Sequence, residues 1–390
     1  AAVLQVTSTA DTTDPGTLRS AITSANASPG ADEITFASNV TGTLTLNGTQ
    51  LPTITDALTI TGPGSGVLAI DGANTSRIFE AYNGGAVLAV TITDLTLTHG
   101  RATGGGAVLD RGEQLTLQRV VVSANQSTAG GGGGGVRVDA GSLAISDSTV
   151  QGNSASGVGG GIEVNSMTGD VVIERTELRA NTVTSRGGGL SARFGSSGAL
   201  QLIDSVVSGN TAASGGGGMF LYRVPGTITI DGTAIEGNTG AGRGGGVFFY
   251  KNAADITIHD TTVADNVLPN GRGGGLFLYK EAAPHTVLIS ESTISGNTSG
   301  QGAGVFLYKG GATFVLENTT VAANQASLQG GGLFDKGAFD GAASLRLTGV
   351  TVAGNTAGST GGGVSATALP TTIQNSIIAD NTAPTNPDLR

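Results

Sequence analysis

An asparagine closes the same kind of tetrad ten times along this chain: VSAN, VQGN, LRAN, VSGN, IEGN, VADN, ISGN, VAAN, VAGN and IADN, ending at Asn125, Asn153, Asn181, Asn210, Asn238, Asn266, Asn297, Asn324, Asn355 and Asn381. The beat is about 28 residues. A glycine cluster follows a few residues after most of these tetrads and an aliphatic follows the cluster, as in Gly159 to Gly161 then Ile162, or Gly187 to Gly189 then Leu190. Self-similarity at this period means one small unit stacked on copies of itself, because a unit so short cannot bury its own apolar face.

Each unit holds three short stretches of period two, for example Leu276-Phe277-Leu278-Tyr279, then Val287-Leu288-Ile289, then Thr293-Ile294. Alternation puts Leu276, Leu278, Val287, Ile289 and Ile294 on the inward face and their neighbours outside. The expected fold is therefore all-β: a single right-handed parallel β-helix with three strands per coil, about 28 residues per coil, and coils ~4.8 Å apart. The repeated Asn fits a turn in which buried amides bond the next coil and form a ladder. The glycines fit turns of positive φ or close backbone approach. Composition agrees: 67 Gly, no Cys and 12% charged residues leave stability to a long core, and clustered glycines exclude collagen.

The pattern divides one domain, 1–390, into a cap at 1–40, irregular first coils at 41–103, regular coils at 104–383 and a tail at 384–390. In the cap, Asp14-Pro15-Gly16-Thr17-Leu18 opens a helix expected at about 15–26, with Asp14 as its cap and Leu18, Ala21, Ile22 and Ala25 on one face, placed to cover the end of the stack. No stretch is apolar enough to span a bilayer, and Ala1-Ala2-Val3 reads as an end left by signal-peptide removal, which makes the expected location extracellular, secreted or at the cell surface. The net charge of −10 argues against nucleic acid. His99, His259 and His285 lack ligand spacing, so no metal and no cofactor is expected.

The pairing of a Gly-Gly-aliphatic run with the tetrad resembles the repeats of polymorphic outer-membrane proteins and related adhesins. The opening DPGTLRSAITSAN resembles the N-terminal cap of bacterial pectate-lyase-like β-helix proteins. The resemblance implies the β-helix fold; since adhesins, polysaccharide lyases and glycoside hydrolases share it, function has to come from particular residues.

Those residues are outward ones, which stacking leaves free. Phe220, Phe248, Phe277, Phe306 and Phe334 recur two places after successive glycine clusters, then Tyr222, Tyr250, Tyr279 and Tyr308, each tyrosine followed by a cation: Arg223, Lys251, Lys280 and Lys309. Read as outward columns, they form an exposed, flat Phe/Tyr platform with a Lys/Arg edge, suited to a polysaccharide, and by its charge to an anionic one. Two other readings stand beside it: a homo-oligomer contact through the aromatic face, and aromatic stacking that only reinforces the sheet. On the same columns earlier coils carry Asp110, Arg137, Asp139 and Glu163. If the protein is an enzyme, Asp110 and Asp139, one coil apart, approach the ~5 Å carboxyl spacing of a retaining glycosidase, with Glu163 diagonal to them. A lyase would instead draw its proton acceptor from Tyr250, Lys251, Tyr279 or Lys280. Asp335 falls on an otherwise inward column, as at a bulge.

Overall fold

The computed structural model describes residues 1–282, 285–339 and 343–390. Its strands form four parallel sheets, of 14, 13, 10 and 11 strands in the order a coil visits them. One coil runs Ile256–His259, Thr262–Ala264, Val267–Arg272 and Leu276–Glu281, each strand pairing with its equivalents in the coils before and after. The expected three strands are the first, second and fourth of these. The third sheet corrects that count: directly after each Asn from Asn125 to Asn355 the chain makes a further strand, in most coils only two residues long, such as Thr182–Val183. Two residues carry too little alternation to be read as a strand, and neighbouring coils supply their partners.

The core is one continuous column of inward aliphatics, among them Leu276, Leu278, Val287, Ile289 and Ile294. The one helix found among the described residues is Leu18–Ala27, and the apolar face expected for it is buried in this core: Leu18, Ala21, Ile22 and Ala25. It starts three residues later than expected. Thr17, rather than Asp14, caps it by accepting from the Ser20 N–H, and Gly16 at φ +85° keeps Asp14 and Pro15 in a preceding turn.

The asparagines are 0–7% exposed, and their amides are saturated. Asn210 Oδ1 accepts from the backbone N–H and from Nδ2 of Asn181, each at 3.0 Å. Its own Nδ2 donates to Leu178 O at 2.8 Å and to Asn238 Oδ1 at 3.0 Å. The ladder begins with the Gly100 N–H bound to Asn125 Oδ1 and ends on the Asp388 carboxylate, which takes both the N–H and Nδ2 of Asn381. The glycines accompany it for three reasons visible in one triplet. Gly187 has φ +72°, a Cβ on Gly188 would strike the Gly217 carbonyl, and a Cβ on Gly189 would sit 3.2 Å from the Asn210 amide nitrogen. Glycine cluster and asparagine recur together because the missing Cβ is where the amide lies.

Replacing one rung isolates what the ladder contributes. Asn238→Ala leaves Asn210 N–H, its Nδ2 and the Val207 carbonyl without these partners. At ~1–3 kcal/mol for each buried unsatisfied group, the expected loss is about 3 kcal/mol or more by chemical denaturation. A loss below about 1 kcal/mol would show that the rung is replaceable.

Candidate functional site

The fourth sheet carries both aromatic columns in register: Phe220, Phe248, Phe277, Phe306 and Phe334 pair in sequence, as do Tyr222, Tyr250, Tyr279 and Tyr308. Both point away from the main core, yet they do not form an exposed platform together. The phenylalanines are only 0–5% exposed and make a second apolar cluster, with the tyrosines packed against them and half-buried. The cause lies in the segment that returns from the third sheet. Arg186, Gly215, Arg243 and Arg272 stack there one above another, with Gly215 and the Arg186 and Arg243 side chains lying over the Phe column.

Nor is the exposed aromatic surface flat. Neighbouring Tyr rings have centroids 5.1–5.2 Å apart and planes 5–22° from parallel. That spacing is too short for rings side by side in one plane, so they overlap like shingles, in the offset arrangement that the ring quadrupole favours. Their edges face outward, and none of the four phenol hydroxyls has a hydrogen-bond partner among the described residues.

Cations flank this strip on both sides. Arg223, Lys251, Lys280 and Lys309 follow their tyrosines at φ of 54–58° and lie 5.1–5.4 Å from those ring centroids. On the other side Arg186 lies 5.2 Å from the Phe220 ring, Arg243 5.5 Å from Tyr279 and Arg272 5.6 Å from Tyr308, while Arg193 closes the end over Tyr222. The sequence reading missed Arg186, Arg243 and Arg272, although a signal existed: each stands directly before a GGG triplet. Of the 19 Lys and Arg, eight are in ion pairs with carboxylates among the described residues. Eight of the other eleven are these strip residues.

The carboxylates divide differently from the expectation. Asp110 pairs with Val138, not with Asp139, and points inward with no exposure. In that coil Ala107 takes the place of the third glycine, bonding to Gly135, so the strand begins one residue later than its neighbours suggest and alternation turns Asp110 to the other face. Burial pushes its carboxyl up to about 7, while it accepts from the Glu113 N–H at 2.8 Å. Asp139 and Glu163 do face outward, joined through Arg137 at 2.9 and 3.2 Å. The glycosidase pair of Asp110 and Asp139 is therefore not assembled on one face. Asp335 stays in register with Leu307, buried, with Thr367, Ala368 and Leu369 N–H groups donating to it; no bulge occurs at it. Behind the strip, Glu281 is wholly buried, accepts from the Asn252 N–H at 3.2 Å, and is pushed by burial up to about 8.

These features sit on a fold whose class comparison with known families also defines: residues 175–334 match the family model described as a right handed beta helix region. Among solved structures, the A-modules of the Azotobacter vinelandii mannuronan C-5 epimerases AlgE4 and AlgE6 are similar to 95% and 96% of this chain and 95% and 93% of their own, with 16% identity and TM-scores of 0.47 and 0.48. Pectate lyase Pel9A is similar to 100% of this chain and 78% of its own, with 13% identity and a TM-score of 0.33. No curated protein matches the chain. None of the described helices is long and apolar enough to cross a membrane.

Two outcomes follow from burial. Phe277→Ala removes a fully buried ring and is expected to cost about 3 kcal/mol or more, whereas Tyr279→Ala, at the half-exposed strip, costs about 1 kcal/mol or less; urea denaturation measures both. Glu281 keeps its proton in the folded state while the unfolded chain loses it near the ordinary glutamate pKa, so stability falls as pH rises from there to about 8. The melting temperature of Glu281→Gln should rise relative to wild type between pH 5 and pH 8, and a constant difference would contradict the raised carboxyl.

Proposed function

We propose that the protein binds an anionic polysaccharide, of uronate type, laid along the Tyr strip parallel to the solenoid axis. The observation that carries this reading is the concentration of unpaired cations: in a chain of net charge −10, eight Lys and Arg without a carboxylate partner among the described residues line one strip four coils long. The four cations following the tyrosines sit at left-handed φ, a conformation that favours Gly, Asn or Asp over Lys or Arg. Holding long cations at such positions along a ladder of free hydroxyls suits a ligand bearing both negative charge and hydroxyl groups. Coils at ~4.8 Å offer such a polymer one set of contacts per sugar. Charge-assisted contacts to both cation rows replace the ring-on-ring stacking that a flat platform would have offered.

The same cation rows weigh against self-association through this face, since two facing copies would oppose like charges. A hydrolase on this face would need two free carboxylates, and Asp139 is held by Arg137 and by Asn165 Nδ2 at 3.2 Å. Binding is therefore the reading favoured over cleavage.

Retention on immobilised polygalacturonate and β-(1→4)-glucuronan, beside neutral cellulose, tests the proposal. The wild type should bind an acidic polymer, release it as NaCl rises, and lose about tenfold or more in affinity in Arg243→Gln with Arg272→Gln, or in Tyr250→Ala with Tyr279→Ala. Salt-insensitive binding, or affinity unchanged in both double variants, would sink it.

A further inference from the structure

We infer that the cleft beside Tyr222 is a terminal subsite, taking the end residue of an anionic glycan whose following residues lie along the Tyr strip. This inference rests on the glycan reading and adds where the polymer must stop. In the inner outward column Arg137, Glu163, Ser191 and Phe220 are successive rungs. Ser191 fills far less space than the Glu before it or the Phe after it. The gap opens a cleft of about 190 Å³ lined by Glu163, Ser191, Arg186, Arg193, Phe220 and Tyr222. This is room for a single ring rather than for a through-running chain.

Charge gives the cleft its direction. From Tyr308 to Tyr222 the strip is edged by unpaired cations, and Arg186 and Arg193 are the last of them. One coil beyond stands Glu163, and one further on stand Arg137 and Asp139. An anionic chain advancing along the strip is held as far as the cleft and repelled past it. Glu163 closes the cleft on its acidic side: the residue is 7% exposed and lines the cleft, while its Oε2 stands 3.2 Å from the Arg137 guanidinium with no hydrogen-bond partner among the described residues. Burial pushes this carboxyl up to about 7. Below that pH it is neutral and offers an O–H to the sugar. Above it, a second negative charge faces the end residue, with Arg137 and Asp139 alongside and Arg186 and Arg193 opposite.

Isothermal titration of the intact chain with glucuronate and galacturonate hexamers, beside their long polymers, separates the subsite from the strip. Short chains depend on their ends, whereas long polymers bind through interior stretches. Ser191→Phe, which fills the gap, should weaken hexamer binding about tenfold while changing polymer retention by less than about twofold; Arg193→Gln, on an exposed side chain, should weaken hexamer binding about tenfold and polymer retention several-fold less than that. Hexamer affinity of the wild type should also fall between pH 6 and pH 8, and Glu163→Gln should flatten that fall. Equal losses for hexamer and polymer, or unchanged hexamer affinity in both Ser191→Phe and Arg193→Gln, overturn the subsite. A wild type that holds neither polymer overturns the strip reading, and the subsite with it. Melting temperatures of the variants separate misfolding from lost binding, and Arg193→Gln gives the answer without a change inside the cluster.

Discussion

In-register stacking of one coil on the next is the constraint on which everything else depends, and the asparagine ladder is what fixes its register. Backbone bonds between parallel strands tolerate a slip of two residues, since the same face then still points inward. A saturated buried amide does not. Each amide in the run from Asn125 to Asn355 has its nitrogen and oxygen engaged by the coils on either side, so displacing one rung orphans groups on both neighbours. A second series of hydroxyls, including Ser148, Ser205 and Thr261, accepts from or donates to the backbone of the preceding coil at the turn between the first and second strands. Polar contacts thus set the register while the aliphatic column supplies the apolar burial.

Once the register is fixed, every outward position becomes a column, and the chemistry of a column is the chemistry of its residue repeated at the coil spacing. This makes a row of four tyrosines possible, and it also lets a loop become a wall: the returning segment stacks as regularly as a strand, so Arg186 and Arg243, outside any sheet, line up with Arg272 at the end of its strand. The strip has three layers: a buried Phe column that stiffens it, a Tyr column that forms its floor, and two cation rows as its edges. The phenylalanines are buried and reinforce the sheet, while the tyrosines and cations make up the exposed surface.

Much of this was legible in the sequence. The ten asparagines, the inward residues and the buried helix face follow from periodicity, because burial on one face imposes it. The misplaced features share a different cause. Alternation tells which side of a sheet a residue faces, but not what else covers that side, so Phe277 read as exposed although the loop before its own strand closes over the column. The two-residue third strand had no period to display. Asp110 was misassigned because its coil has Ala107 where others have a third glycine, and a slip of one reverses the face. Glu281, next to Lys280 in sequence, gave no sign that it would be buried without a cation.

The central claim is that the Tyr strip is the binding surface, and the composition of the chain provides its most direct test. There is no Trp, and four of the five Tyr lie in the strip, so intrinsic Tyr emission reports on that surface almost alone. Titration with an acidic polyuronate at low ionic strength should change the emission saturably, and added NaCl should reverse the change. Emission that stays constant while the polymer is shown to be bound by another method would place binding elsewhere and contradict the account.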